Sequence, residues 1–183
     1  MAQLLASRLG TTAHLSPLLH KAKRLGLGCP EYLEHVAVAR GLGYFGRLPS
    51  SAGGRESEFG PSLPDPDQFS NEELAIALMS PALPYSIIPL RMAAGMLGAD
   101  AISVDKILRL ARQERCETIV RYIAECAFRV EPEHPLWTSL MEKLPPVPSL
   151  APDILPHPSR FVAMSGITRA GRQTSAIWIR PLH

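Results

Sequence analysis

"SNEELAIALMSPALPYSIIPLRMAAGMLGADAISVDKILRLARQERCETIVRYIAECAF", residues 70–128, decides the fold. Ser70 followed by Glu73 is a capping box, and Glu72 and Glu73 suit the positive end of a helix dipole. Leu74, Ala77 and Leu78 share one face of the helix that follows. "PALP" breaks it. A second helix is expected from about Tyr85 to Leu97, with Pro89 in its first turn or two and Gly98 as C-cap. Ser103 opens a third, whose stripe is Val104, Ile107, Leu108 and Ala111. A fourth carries Ile119, Val120, Ile123 and Ala127 inward. On its other side Glu117, Arg121, Glu125 and Arg129 alternate in sign at spacing four, which predicts a surface ladder. "HPLWTSLMEKL" adds a helix with Leu136, Leu140 and Leu144 in line.

Working outward, the ends read differently. Residues 1–46 suggest two or three short helices: Leu15, Leu18, Leu19 and Ala22 fall at helical spacing, as do Leu33, Val36, Ala37 and Arg40. Residues 47–69 form a Pro/Gly/Ser-rich linker. Proline is abundant in the chain, with 18 residues, and six fall within 145–159, an expected extended arm. Residues 160–183 hold two β-prone runs, "RFVAMSGIT" and "QTSAIWIRP", around "RAGR". This predicts a β-hairpin tail. Two strands alone are unstable in water, so the hairpin has to pack on the helices or on a partner. The chain is therefore expected to be mainly α, with stacked antiparallel helical hairpins over 70–144, in a regular repeat or as an irregular helical domain, and a C-terminal β-hairpin.

Two second helices align: "PLRMAAGML" and "TIVRYIAECA" superpose Arg91 on Arg121, Met92 on Tyr122 and Ala94 on Ala124. Small alanines let neighbouring helices approach closely. An arginine there projects from the packed face or bonds the carbonyls of an adjacent turn. The run from Pro89 to Phe128 resembles HEAT-type helical repeats, in which a basic residue and small residues recur in the second helix and a Leu-Gly pair precedes the next unit. The resemblance covers about residues 70–130, and its period, near 30, is shorter than the family's usual 40 or so. It implies an extended binding surface rather than a catalytic centre.

Composition narrows the function classes. The 183 residues carry 19 basic and 17 acidic side chains, too balanced to argue for nucleic acid alone. The basic residues are unevenly placed: from His157 onward there are four arginines and no acid. Cys29, Cys116 and Cys126 do not make a disulfide framework and suit a reducing cytoplasm. "MAQLLASRLG" does not read as a signal peptide, and the longest apolar region is too interrupted for a membrane span.

Motifs for chemistry are weak. "GLGYFG", 41–46, has dinucleotide-loop spacing but follows a helix and precedes "RLPSS", so it reads as a loop. His14, His20, Cys29 and His35 lack metal-ligand spacing and are expected as separate surface or half-buried side chains. Cys116, beside Glu117, is expected to be an inert buried thiol. No nucleophile elbow, zinc-protease helix or phosphate loop occurs. No catalytic residue, cofactor or metal is expected.

What remains is a basic stripe, Lys106, Arg109, Arg112 and, approximately, Arg115. To it are added Arg169 and Arg172 at the hairpin tip. These are the candidate residues for a partner or for nucleic-acid phosphates. The stripe reads first as a solvated helix face, since Asp105, Glu114 and Glu117 lie close. The leading expectation is a non-enzymatic protein-interaction module or adaptor. The alternative is a nucleic-acid-binding accessory protein.

Overall fold

Serine N-caps start four of the helices. In the computed structural model, which describes residues 3–26, 30–43, 65–147, 154–165 and 175–182, the hydroxyls of Ser16, Ser70, Ser86 and Ser103 accept from the N–H groups of Leu19, Glu73, Ile88 and Lys106. Each such cap contributes about 1 kcal/mol. Both halves of the capping box at Ser70 and Glu73 are formed. The helices are α1 (Leu5–Arg8), α2 (Pro17–Arg24), α3 (Pro30–Ala39), α4 (Asn71–Leu78), α5 (Ile87–Leu97), α6 (Val104–Gln113), α7 (Glu117–Val130) and α8 (Pro135–Lys143). Pro89 is the third residue of α5, where its missing N–H has no intrahelical partner to lose. Gly98 is its C-cap. None of the described helices is long and apolar enough to cross a membrane.

The sequence suggests one apolar face for α4, but the helix is covered on all sides. Leu74, Ala75, Ile76, Ala77, Leu78 and the following Met79 are all buried. A helix apolar all round has to sit inside. α4 packs most extensively on α5, and also on α6, α3 and α2. α7 packs chiefly on α8, while α6 touches α4 and α8 at least as much as it touches α7. Ile107, Ile119 and Ile123 are buried as their spacing predicts, and so are Leu136, Leu140 and Leu144. Leu15 departs from its expected stripe: α2 begins only at Pro17, and Leu15 is 86% exposed.

The boundaries drawn from proline do not interrupt the packing. One apolar cluster runs from Leu5, Leu18 and Leu33 through α4 to Phe161, Trp178 and Ile179. Phe69, at the end of the 47–69 segment, is buried behind a short 3-10 turn, Pro66–Gln68. In the proline-rich arm, Leu155 is buried, and the Pro156 and Ile154 carbonyls accept from Tyr122 Oη (2.8 Å) and Arg8 Nε (3.3 Å). Residues 154–156 of the arm thus lie against α7 and α1.

The tail is a two-stranded antiparallel sheet, as expected. β1 (Val162–Ser165) pairs with β2 (Ser175–Trp178), with Val162 opposite Trp178 and Ala163 opposite Ile177. The "RAGR" turn lies outside the described residues. Trp178 anchors the sheet to the helices: its Nε1 donates to the Ala94 carbonyl (3.0 Å), and its ring meets Trp137 and Phe161. Gly98 makes room for it, since a Cβ there would lie 2.9 Å from both Trp178 Cδ1 and the Ile179 carbonyl oxygen. Beyond β2, the Leu182 N–H donates to the Gly41 carbonyl (2.7 Å). Gly41 has φ +89°, and a Cβ would come within 2.1 Å of the Leu182 carbonyl oxygen. Only glycine suits both demands.

The aligned arginines act alike. Arg91 donates from Nη1 to the Arg160 carbonyl in the 3-10 turn before β1. Arg121 donates from Nη1 to the Met141 and Leu144 carbonyls at the end of α8, and from Nε to Glu125 (2.7 Å). Each ties its helix to backbone carbonyls of a later segment. The expected surface ladder on α7 is therefore only partly formed. Arg121 turns toward α8, with a side chain only 13% exposed, and Glu117 pairs with Arg112.

Candidate binding groove

The basic stripe divides in the folded chain. Lys106 Nζ reaches Ser70 Oγ (2.7 Å) and Glu72 Oε2 (3.4 Å), and Glu72 Oε1 accepts from Ser103 N (3.0 Å). The lysine thus joins the N-termini of α4 and α6. Burial works to raise the Glu72 pKa, but the Ser103 N–H, other hydrogen bonds and the Lys106 charge hold it below the usual carboxylate value. To grip a phosphate, Lys106 would have to leave this cluster. Arg112 Nε lies 3.6 Å from Glu117 Oε1 at the surface. Arg109 and Arg115 are exposed. Arg169 and Arg172 lie outside the described residues.

Arg115 occupies a backbone position that favours glycine. It has φ +53°, and follows α6 in a 6→1, 5→2 termination: Cys116 N donates to Ala111 O (3.0 Å) and Arg115 N to Arg112 O (3.2 Å). Arg115→Gly is expected to stabilise the fold by about 0.5–1 kcal/mol, because a left-handed arginine carries a Cβ penalty that glycine lacks. Urea denaturation checks this; an unchanged or lower midpoint would refute it.

The cysteine reading agrees with the structure where it is described. Cys116 and Cys126 are free and buried. Burial, followed by the charges of Glu114 and Glu117, pushes the Cys116 thiol well up, and burial pushes Cys126 to about 11. Both thiols are thus held in the protonated, unreactive form. Cys29 lies outside the described residues. Among the described residues, no three His, Cys, Asp or Glu side chains converge as a metal site would require.

His14 is half-buried, within the range expected from the sequence, and its side chain, 10% exposed, faces Glu114, which is 1% exposed. Glu114 Oε1 accepts from Leu18 N (2.8 Å) in the first turn of α2. Its Oε2 lies 3.9 Å from His14 Nε2, too long for a hydrogen bond. Glu114 is the last-turn cap of α6 and a partner for the start of α2 at once. Nothing in the local pattern marks it, because its partner is 96 residues away.

The open apolar surface lies elsewhere. A groove of about 450 Å³ runs between the first turns of α5 and the C-terminal hairpin. Ile87, Ile88 and Met92 line it from α5, Ala163, Ile177 and Ile179 from the hairpin and the residue after it, and Leu42 and Leu182 complete its apolar lining. Arg91, Arg160 and Arg180 also line it, and among the described residues no Asp or Glu does. Arg180 pairs with Glu131, beyond the lining. Burial, and then the charge of Arg160, pull the Arg91 pKa below its ordinary value. The two guanidinium groups therefore feel each other. One signal for this site was present in the sequence: two isoleucines opening a helix, with an arginine one turn on. What it lacked was the opposing strand, brought in from some 90 residues downstream.

Comparison of the chain with protein-family models, curated proteins and solved structures gives no match.

Proposed function

We propose that this chain is a non-enzymatic protein-interaction module that docks a partner in the groove between α5 and the hairpin. One observation carries the reading. Of the five large hydrophobic side chains exposed among the described residues, four, Ile87, Ile88, Ile177 and Leu182, border this groove. Scattered exposed apolar residues are ordinary; a contiguous set with charges beside it marks an interaction surface. In this reading α4–α5 and α6–α7 are two stacked hairpin units of HEAT-like type. Arg91 and Arg121 tie them to the segments that follow. A reducing, cytoplasmic setting accords with the free thiols of Cys116 and Cys126.

Affinity capture from the source cells tests the proposal, with the full chain compared against an Ile88→Glu/Ile177→Glu variant matched for thermal stability. The expected result is a stoichiometric protein partner that the double variant loses and an Arg109→Glu variant keeps. Identical capture by all three proteins would remove the groove from the interaction. Turnover of a metabolite by the pure chain, with no groove-dependent partner, would overturn the module itself.

A further inference from the structure

Resting on that reading, we infer that the groove receives an acidic, apolar peptide segment of a partner protein, with apolar side chains between α5 and β2 and a carboxylate against Arg160 and Arg91. Charge complementarity selects this occupant. Among the described residues the lining offers three arginines and no acid. Arg160 is exposed, its carbonyl takes the Arg91 guanidinium and its charge acts on Arg91, so two neighbouring cations line the same apolar groove. Arginine forks match carboxylates with two parallel hydrogen bonds, and such pairs strengthen where apolar contacts exclude water.

The shape selects a peptide over other anions. A volume of about 450 Å³ lies within the range of roughly 300–1,000 Å³ for sites that hold small ligands, so it accepts a few side chains. The walls are open: Ile87, Ile88 and Ile177 are 38–46% exposed and Leu182 73%. An acyl chain lying here would stay wet along one side. A folded partner presenting a segment would cover both the groove and its rim. Nucleic acid fits less well, because base stacking needs an exposed aromatic face and the one aromatic among the described lining residues, Trp178, is 1% exposed.

Selection of a random 12-residue peptide library displayed on phage, with the intact chain as bait, tests the inference. The expected winners combine Leu, Ile or Phe with Asp or Glu. Synthesised and labelled, they should bind about tenfold more weakly to Arg160→Glu and to a Gln-substituted peptide, and weaken as salt rises. Arg160→Lys, which keeps the charge and loses the fork, should weaken binding less than Arg160→Glu does, and an Ile177→Glu variant should lose it. Failure to enrich any peptide, enrichment without acidic residues, or indifference to Arg160→Glu would overturn the inference. Displacement of an apolar dye by oleate, with no peptide bound, would replace it with a lipid. If affinity capture still finds a groove-dependent partner while Arg160→Glu changes nothing, the acidic peptide is refuted and the interaction module stands. If neither assay finds groove-dependent binding, both fall.

Discussion

Trp178→Ala is expected to destabilise the protein by about 3–5 kcal/mol, the cost of deleting a fully buried aromatic side chain and leaving a cavity. Trp178 is 1% exposed and lies at the centre of an aromatic cluster, 5.5 Å from Trp137 and 5.8 Å from Phe161 between ring centroids. Its indole N–H is also the side-chain link from β2 into the middle of α5, at Ala94. Deleting the ring removes apolar contact and hydrogen bond together. A chain of this size should then melt roughly 6–20 °C lower. Trp178→Phe keeps most of the ring and loses the hydrogen bond, so about 1–2 kcal/mol is expected. Only two tryptophans are present, so Trp178→Phe also isolates Trp137 as a fluorescence reporter. The hairpin forms one wall of the groove, so groove-dependent binding should fall before global unfolding does. A change of less than 1 kcal/mol in Trp178→Ala would show that the hairpin does not depend on this anchor.

Glu114→Ala is the second large effect. It deletes a buried acceptor for the Leu18 N–H and leaves a void beside His14. An unsatisfied buried donor and a new cavity together cost about 2–4 kcal/mol. Glu114→Gln retains an oxygen for Leu18 N and should cost under about 1.5 kcal/mol. Hydrogen exchange gives the sharper readout. In Glu114→Ala, amide protection should fall first in α2, while α4, α5 and α7 keep theirs. Uniform loss across all helices would mean that Glu114 holds the whole core, and no loss in α2 would mean that the cap is dispensable.

Much of the helical framework was legible in the chain because it is set by neighbours in sequence. Ser70 with Glu73, Ser103 and Gly98 mark helix ends through contacts within a turn, and each does so in the structure. The spacing of Ile107, Ile119 and Ile123 identifies their buried faces for the same reason. The alternating β-prone runs around residue 170 announce the paired strands. Legibility fails where a residue's role depends on something far along the chain. Leu15 has the right spacing but precedes a helix that Pro17 starts. Lys106 looks like one member of a basic stripe until α4 brings Ser70 and Glu72 to it. His14 and Glu114 are ordinary polar residues until α2 and α6 meet.

The groove is the extreme case. The sequence by itself determined most of the helices, the two strands and many of the inward faces, because hydrogen bonding within a turn and hydrophobic periodicity are local. It also placed Arg91 beside apolar residues, though not what it faces. Only the tertiary structure decided that Ile87 and Ile88 stand opposite Ile177, with Arg160 alongside Arg91. That juxtaposition depends on where Trp178 docks on α5 over Gly98. Docking of this kind is settled by shape and burial between distant elements, which no local periodicity encodes.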